Sequence, residues 1–136
     1  MNRATKKVFG FIFDTTLRTV LLGDYKNGMN GISTKVRKDE LPMDALMRAV
    51  RDKTLVEPTK LIWKHYASII RNNSVDYYYW AIADSLLPKE ESGVTTVTTQ
   101  YISNLNTNAK WLIPMAQKEI SNVDFPFILV ENDVET

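Results

Sequence analysis

The sequence predicts an α+β domain in which helices cover a mixed β-sheet. The chain has 136 residues and is 44% hydrophobic, which is enough for one domain with a real core. Strand-like and helix-like segments follow one another in the order strands, helix, strands, helix. Neither a linker nor an internal repeat interrupts this order. We therefore expect residues 1–136 to form a single domain.

The first half of the chain contains strand signals followed by one clear helix. Residues 7–13 are aromatic and β-branched, which is typical of a buried strand. Pro42 suits the first position of a helix, and Glu57-Pro58 marks its end. The predicted elements are a hairpin of strands at 7–13 and 17–22 around a turn at 14–16, a Gly/Asn/Asp-rich loop at 23–31, a short strand at 32–36 and a helix at 42–54.

The predicted helix has one apolar face and one charged face. Helical spacing places four apolar residues and a lysine together: Ala45, Leu46, Ala49, Val50 and Lys53. Asp44, Arg48 and Asp52 follow at i, i+4 and i+8 on another face. These three charges form either a solvated ladder of ion pairs or part of a binding site.

The second half contains another hairpin and a second helix. Residues 75–83 carry the strongest strand signal, and they pair with a strand at 61–70 across a turn at 71–74. His65, the single histidine, is interpreted as a surface or hydrogen-bonded residue and not as a catalyst. The later predictions are a loop at 88–93, an extended segment or ordered loop at 93–101, a short strand at 109–113 with Trp111, a helix at 114–121, a strand or helix end at 125–131 and a frayed tail at 132–136.

The composition excludes several classes of function. The chain has no cysteine, so it holds no disulfide, cysteine-ligated metal or thiol nucleophile. We expect a reducing, cytoplasmic location and no membrane partner, because no apolar run approaches the length of a membrane span. Residues 1–71 carry 14 Lys and Arg against 7 Asp and Glu, whereas residues 72–136 carry 3 against 9. This asymmetry fits either an anion-binding surface or charges that intermix on the folded domain.

The span Thr34–Val56 resembles the Nudix box, G-x5-E-x7-R-E-U-x-E-E-x-G-U, in which U is a bulky aliphatic residue. Glu40 falls on the loop glutamate, Arg48 on the arginine, and Val50 and Val56 on aliphatic positions. The flanking hairpins and the Trp111 segment also resemble the family, so the resemblance covers nearly the whole chain. It implies a Nudix-like mixed sheet sandwiched by helices.

The box is degenerate at the positions that carry the chemistry. Ala49 replaces the first helix glutamate, Asp52-Lys53 replaces the Glu-Glu pair, and Leu55 replaces the second glycine. The family splits diphosphates linked to a nucleoside with Mg²⁺ held on helix carboxylates. If the chain is active, the resemblance implies Mg²⁺ or Mn²⁺ on Glu40 and Asp52. Apart from the resemblance, Glu90 and Glu91 are candidates for further carboxylates if their loop reaches this face. Glu40, Arg48 and Asp52 are then the catalytic residues.

Several other residues are candidates for contact with a ligand. The resemblance places Lys35, Arg37 and Lys38 in the loop that cradles a diphosphate, where they either contact phosphate or only keep the loop soluble. Lys53 either neutralises phosphate in place of a metal or is a solvated lysine. Alternation along the strand puts Tyr78 and Trp80 on one face and Tyr77 and Tyr79 on the other. One pair belongs to the core; the other lies in the core, forms a homodimer interface or stacks on a nucleobase.

Three functional hypotheses follow from these residues. The first is a Nudix-fold protein that binds a nucleotide, a nucleoside-diphosphate-linked ligand or a macromolecular partner with little or no hydrolysis. The second is a diverged, metal-dependent Nudix pyrophosphohydrolase. The third is a nucleic-acid-binding module that uses the basic first half.

Overall fold

The computed structural model describes residues 5–99, 104–106, 109–110, 112–114, 116–117 and 127–130. No helix within these residues is both long and apolar enough to cross a membrane. The strands are β1 (Thr5–Phe13), β2 (Thr19–Tyr25), β3 (Gly28–Asn30), β4 (Ile32–Lys35), β5 (Lys64–Arg71), β6 (Ser74–Ile82), β7 (Val94–Thr98) and β8 (Phe127–Val130). Helix α1 spans Pro42–Lys53, and a 3₁₀ turn spans Pro58–Lys60.

The described strands form one mixed sheet with β1 near its centre. The main order is β3-β2-β1-β6-β5-β8, while β4 pairs with β1 and β7 pairs with β2. Strand β1 runs antiparallel to β2 and β4 but parallel to β6. Strand β8 runs parallel to β5. The predicted mixed sheet and both predicted hairpins are therefore confirmed.

The two faces of β1 support two separate parts of the core, because successive strand residues point to opposite faces. Val8 and Ile12 pack with the apolar face of α1. Phe9, Phe11 and Phe13 pack on the other side, against buried residues of a second helical segment: Ala109, Leu112, Ile113 and Ala116. The sheet is thus covered by helix on both faces, as the sequence predicts.

The predicted loop at 23–31 is wrong in most of its length. Strand β2 continues to Tyr25, and Gly28–Asn30 forms β3, which pairs with β2 in a tight hairpin. Gly28 has a φ of 105°, a conformation that glycine adopts without steric cost. The Asn27-Gly28 pair is thus a hairpin turn signal and not the middle of a loop.

The predicted strand at 109–113 is also wrong. Residues 109–110, 112–114 and 116–117 are helical, so helical structure is already present before Pro114 instead of beginning there. The four buried residues of this segment follow the i, i+3, i+4, i+7 spacing of a helix face. Trp111, whose strand propensity favoured the wrong assignment, lies outside the described residues, as do 118–121 and the tail at 132–136.

The remaining differences concern element boundaries. Strands β2 and β5 begin two and three residues later than predicted, and a 3₁₀ turn precedes β5. The segment at 93–101 contains β7, and the segment at 125–131 contains β8, which settles the alternative in favour of a strand. Helix α1 ends at Lys53, one residue before the prediction.

Candidate ligand site

Arg48 and Glu40 fasten the loop after β4 to helix α1. Arg48 donates from Nη2 to Glu40 Oε1 (3.0 Å) and from Nε to Glu40 Oε2 (3.2 Å). The same guanidinium donates to Thr34 Oγ1 (3.4 Å) and to the Lys35 carbonyl (3.1 Å), and the Arg37 backbone N–H donates to Glu40 Oε1 (2.9 Å). The hydrogen bond from Arg48 is the main cause that lowers the pKa of Glu40. Both carboxylate oxygens are therefore engaged within the protein.

The position of the first box glutamate is closed to solvent. Ala49 is 2% exposed and packs in the cluster between α1 and the sheet with Ala45, Leu46 and Val50. Its methyl group offers no oxygen to a cation. A carboxylate here would lose its hydration in a layer of apolar side chains.

Lys53 lies at the next altered box position, where its ammonium approaches the sheet. Its Nζ donates to the Ser33 carbonyl of β4 (3.0 Å) and lies 5.8 Å from the centre of the Tyr25 ring. Burial lowers the pKa of Lys53, while the charge of Asp52 acts in the opposite direction. A fixed cation therefore lies between the last turn of α1 and strand β4.

Tyr25 lies beside the Lys53 ammonium, next to strand β4. Its hydroxyl donates to the Gly31 carbonyl (3.1 Å) and accepts from the Ser33 backbone N–H (3.0 Å), and burial raises its pKa to about 12. A Cβ on Gly23 would lie 2.4 Å from the Tyr25 hydroxyl oxygen, so only glycine leaves room for the phenol. Gly23 thus sets the position of Tyr25.

The other carboxylates near α1 are exposed. Asp52 is exposed on the charged face, and its charge only partly opposes the burial that lowers the pKa of Lys53. The loop with Glu90 and Glu91 does dock on the end of α1, because Lys89 donates from N to the Lys53 carbonyl (3.0 Å) and from Nζ to the Arg51 carbonyl (2.7 Å). Both glutamates are themselves exposed.

These residues do not fit a divalent metal ion. Within the described ranges, no three Asp, Glu or His side chains are grouped so that they could hold one. Glu40 is bound to Arg48, and Lys53 places a positive charge on the face where the metal would lie. At ~4 Å and an effective dielectric of ~20, this repulsion amounts to several kcal/mol. The geometry therefore argues against the predicted Mg²⁺ or Mn²⁺ on Glu40 and Asp52.

A cavity of about 400 Å³, here called the Tyr25 cavity, opens beside Tyr25 and Ser33. Three cationic side chains, Lys7, Lys26 and Arg71, line it together with one carboxylate, Asp76, which pairs with Arg71 at 2.9 Å. Its other lining residues are Phe9, Asn27, Gly28, Asn30, Tyr78 and Asn106. The excess of positive charge suits an anionic ligand.

A second cavity of about 850 Å³, here called the loop cavity, contains the predicted phosphate-binding residues. Its lining residues are Thr5, Lys6, Lys35, Val36, Arg37, Lys38, Asp39, Glu40 and Leu41. Lys6 and Lys7 are successive residues of β1, so the two cavities lie on opposite faces of that strand. Of the predicted ligand residues, Lys35, Arg37 and Lys38 line the loop cavity and Tyr78 lines the Tyr25 cavity. Lys53 and Trp80 line neither of the two.

Tyr78 is a core residue and not an open stacking platform. Its side chain is 0% exposed, and its ring stacks on Phe9 at 4.6 Å between centroids with an 8° angle between the planes. Asn30 Nδ2 lies 3.4 Å from the Tyr78 hydroxyl, which is the part of the side chain that can serve a ligand. Among the predicted alternatives for this strand, the burial of Tyr78 favours a place in the core over stacking on a base. Trp80 is partly buried and packs against the same cluster, as the predicted face alternation requires.

His65 is held by neighbouring polar groups. Its Nε2 lies 3.0 Å from the Ala67 carbonyl and 2.8 Å from Ser68 Oγ, and its ring lies 4.9 Å from that of Tyr79. Burial lowers its pKa. These contacts fit the predicted hydrogen-bonded histidine.

Sequence reasoning missed Tyr25, Lys7, Lys26 and the Arg71–Asp76 pair. The Asn27-Gly28 turn was the available signal, because a hairpin there puts Tyr25 on a strand two residues from Gly23 and on the same face. No local pattern could place Arg71 near Lys7, since β1 and β6 are more than 60 residues apart. Their parallel pairing puts Lys7 opposite Asp76, and Asp76 pairs with Arg71.

Comparison with known proteins identifies the fold through structure alone. No family model and no curated protein matches the sequence. A NUDIX hydrolase from Nitrosomonas europaea superposes with a TM-score of 0.72 at 13% identity, covering 98% of this chain and 81% of that one. The NUDIX domain of Shewanella oneidensis NrtR, solved with ADP ribose, gives 0.68 at 16% identity, with 88% and 90% covered. A NUDIX-family hydrolase from Clostridium perfringens gives 0.63 at 18% identity, with 91% and 100% covered.

These similarities agree with the layers described above. At identities below 20% they concern the arrangement of the chain and not its chemistry. The chain has the fold of the Nudix superfamily.

Proposed function

We propose that the chain binds a nucleotide-type ligand, a nucleoside joined to a diphosphate, in the Tyr25 cavity with little or no hydrolysis. The observation that carries the proposal concerns two positions of the box-like segment. Ala49, at the position of a box glutamate, is buried, and the carboxylate of Glu40 is bound to Arg48. Hydrolysis of a diphosphate by this fold would need carboxylates that are free to hold a metal. Binding needs only cations and hydrogen-bond donors, which the cavity supplies.

The Tyr25 cavity is favoured over the loop cavity because it combines cations with amide and phenol groups. Lys7 and Lys26 supply charge, and Asn27 supplies an amide that can orient a base or a sugar, while the Tyr25 hydroxyl and the Asn30 amide are hydrogen-bonded within the protein and give the wall a fixed shape. The solved relative with ADP ribose binds a ligand of this class. Lys35, Arg37 and Lys38 in the loop cavity then serve a longer ligand or an anionic macromolecule.

The first experiment separates binding from turnover. The protein is incubated with ADP, ADP-ribose, nucleoside-diphosphate sugars and nucleoside triphosphates, with Mg²⁺ or Mn²⁺, while melting temperature and product formation are both measured. We expect at least one ligand to raise the melting temperature without product. Turnover that both Glu40→Gln and Asp52→Asn abolish would contradict the proposal and establish the diverged hydrolase.

A matched pair of variants assigns the cavity. Lys7→Ala with Lys26→Ala removes two cations from the Tyr25 cavity, whereas Lys35→Ala with Lys38→Ala removes two from the loop cavity. We expect the first pair to weaken ADP binding about tenfold or more, and the second pair to leave it within about threefold. The reverse result would move the site to the loop cavity.

The nucleic-acid alternative has its own test in the loop cavity. Phosphate contacts are strongest at low ionic strength, so binding of RNA or DNA there, lost in the Lys35→Ala, Lys38→Ala variant, would support it. Absence of binding at low salt would contradict the nucleic-acid alternative.

The predicted homodimer is tested by the molecular mass of the protein in solution.

A further inference from the structure

We propose that the outer edge of strand β7 pairs with β7 of a second copy of this chain, so that the sheets of two protomers continue into one another. The pairing is antiparallel, with Thr96 of each copy opposite Thr96 of the other across a two-fold axis. No residue of β7 lines the Tyr25 cavity or the loop cavity. The inference therefore does not depend on the proposed function.

The hydrogen bonds at the two ends of β7 show which of its backbone groups face away from β2. The Asp24 N–H donates to the Gly93 carbonyl (3.0 Å), and the Thr99 N–H donates to the Arg18 carbonyl (2.8 Å). Both bonds follow the antiparallel register of β7 on β2, in which hydrogen-bonded pairs alternate with unbonded pairs. The even-numbered residues of β7 therefore direct their N–H and C=O groups to the outer edge.

This outer edge is unpaired within the described part of the chain, where β2 is the strand that pairs with β7. Ser92 Oγ accepts from the Val94 N–H (3.2 Å). Thr96 and Thr98 have no such partner among the described residues, and both are exposed. The edge thus offers the N–H groups of these two threonines and the carbonyls of all three even-numbered residues, which is a template for another strand.

The free groups are complementary to themselves under a two-fold axis at Thr96. In this register each Thr96 N–H meets the Thr96 carbonyl of the other copy, and each Thr98 N–H meets the Val94 carbonyl of the other copy. Every bond is made twice, once from each copy, so all free donors of both edges find acceptors. The Val94 N–H needs no partner, because Ser92 already serves it. This symmetric order of donors and acceptors favours a second copy as the occupant.

The side chains along β7 permit this pairing. Residues 92–99 contain no charged residue and no proline, which are the residues that soluble proteins place on edge strands to prevent pairing. The two-fold axis puts Thr96 beside Thr96 and Thr95 beside Val97, so no like charges meet. Threonines that face each other are favourable cross-strand neighbours. The strand therefore lacks the features that would keep two copies apart.

Sedimentation velocity from low micromolar to millimolar protein concentration tests the dimer. One short strand per copy makes a small interface, so we expect a weak dimer with a Kd on the order of 100 μM. Thr96→Lys should weaken it about fivefold or more, because like charges then face each other across the axis. Asn72→Lys adds the same charge in the exposed turn between β5 and β6, and it should leave the Kd within about twofold.

An equimolar mixture of Thr96→Lys and Thr96→Glu tests the register. The axis brings the two opposite charges together, so the mixture should dimerise about fivefold more tightly than either variant alone. Because Thr96 is exposed, both variants should keep the melting temperature of the wild type, which confirms that they are folded.

The lack of native cysteine allows an independent test by cross-linking. The Cα atoms of a hydrogen-bonded antiparallel pair lie ~5.5 Å apart, which a disulfide can span. Under mild oxidation Thr96→Cys should form a covalent dimer about tenfold faster than Asn72→Cys, because pairing holds its thiols together whereas the control depends on random collision.

Several results would overturn the inference and leave the proposed function untouched. A protein that stays monomeric at millimolar concentration does not pair through β7, and slow deuterium exchange at the Thr96 and Thr98 amides of that monomer would identify another segment of the chain as the occupant. A dimer that Thr96→Lys does not weaken, or that the mixture of Lys and Glu variants does not strengthen, uses another surface or register. Equal cross-linking of Thr96→Cys and Asn72→Cys would lead to the same conclusion.

Discussion

The two ends of the segment Thr34–Val56, which resembles the Nudix box, differ in which residues of the box they retain. At the start, two hydrogen bonds join Glu40 and Arg48, and three more connect this pair to Thr34, Lys35 and Arg37. At the end, Ala49 is buried and Lys53 donates to the Ser33 carbonyl. The first region shapes the loop, which any protein with this fold needs. The second region would hold the metal, which only an enzyme with this chemistry needs.

This difference separates the requirements of the fold from those of catalysis. The Arg48–Glu40 tie connects backbone segments that are eight residues apart, so its loss affects the shape of the loop. Ala49 packs in the apolar cluster between α1 and the sheet, and Lys53 lies against strand β4. Neither residue disturbs the packing of the helix on the sheet. A chain can thus keep the architecture while its metal-binding carboxylates are replaced.

The largest effect is expected when the missing carboxylate is restored. Ala49→Glu buries a charged side chain among apolar residues, which should lower the free energy of unfolding by about 3 kcal/mol, as measured by urea denaturation. Asp52→Glu, on the exposed face of the same helix, is the control and should change stability little. An Ala49→Glu protein as stable as the wild type would show that solvent reaches position 49.

An intermediate effect is expected at the Lys53 end. Tyr25→Phe removes the hydroxyl that serves the Gly31 carbonyl and the Ser33 N–H, and leaves both without this partner. We expect a loss of about 2 kcal/mol in the free energy of unfolding and weaker ADP binding, because Ser33, which lines the Tyr25 cavity, loses its fixed geometry. Unchanged ADP affinity would mean that the Tyr25 hydroxyl does not shape the binding site.

The smallest effect is expected at the Glu40 end, as a change in pH dependence. The pKa of Glu40 is lower in the folded than in the unfolded chain, so its stabilising contribution is present above the ordinary glutamate pKa and is lost as pH falls through the folded value. Glu40→Gln should therefore lower the melting temperature by a few degrees at neutral pH, and this difference should shrink in acid. A difference that is constant with pH would contradict the ionised tie.

The sequence by itself determined helix α1 and the pairing of Glu40 with Arg48 at the start of the box-like segment. Helix α1 and its buried face follow from the spacing of Ala45, Leu46, Ala49 and Val50, because helical contacts join residues three or four apart. The link between Glu40 and Arg48 is similarly local, since eight residues of loop and helix connect them. The same locality misled at 109–113, where the strand propensity of a tryptophan outweighed the helical spacing of the buried residues.

Only the tertiary structure decided where the ligand residues meet. Different cavities contain Lys35, Arg37 and Lys38 on the one hand and Tyr78 on the other, because they lie near opposite faces of β1. The burial of Tyr78 depends on Phe9, which is far away in the sequence but stacks on it in the sheet. The contact between Lys53 and Ser33 joins a helix end to a strand 20 residues earlier. Such contacts arise from the packing of whole layers, which no local pattern encodes.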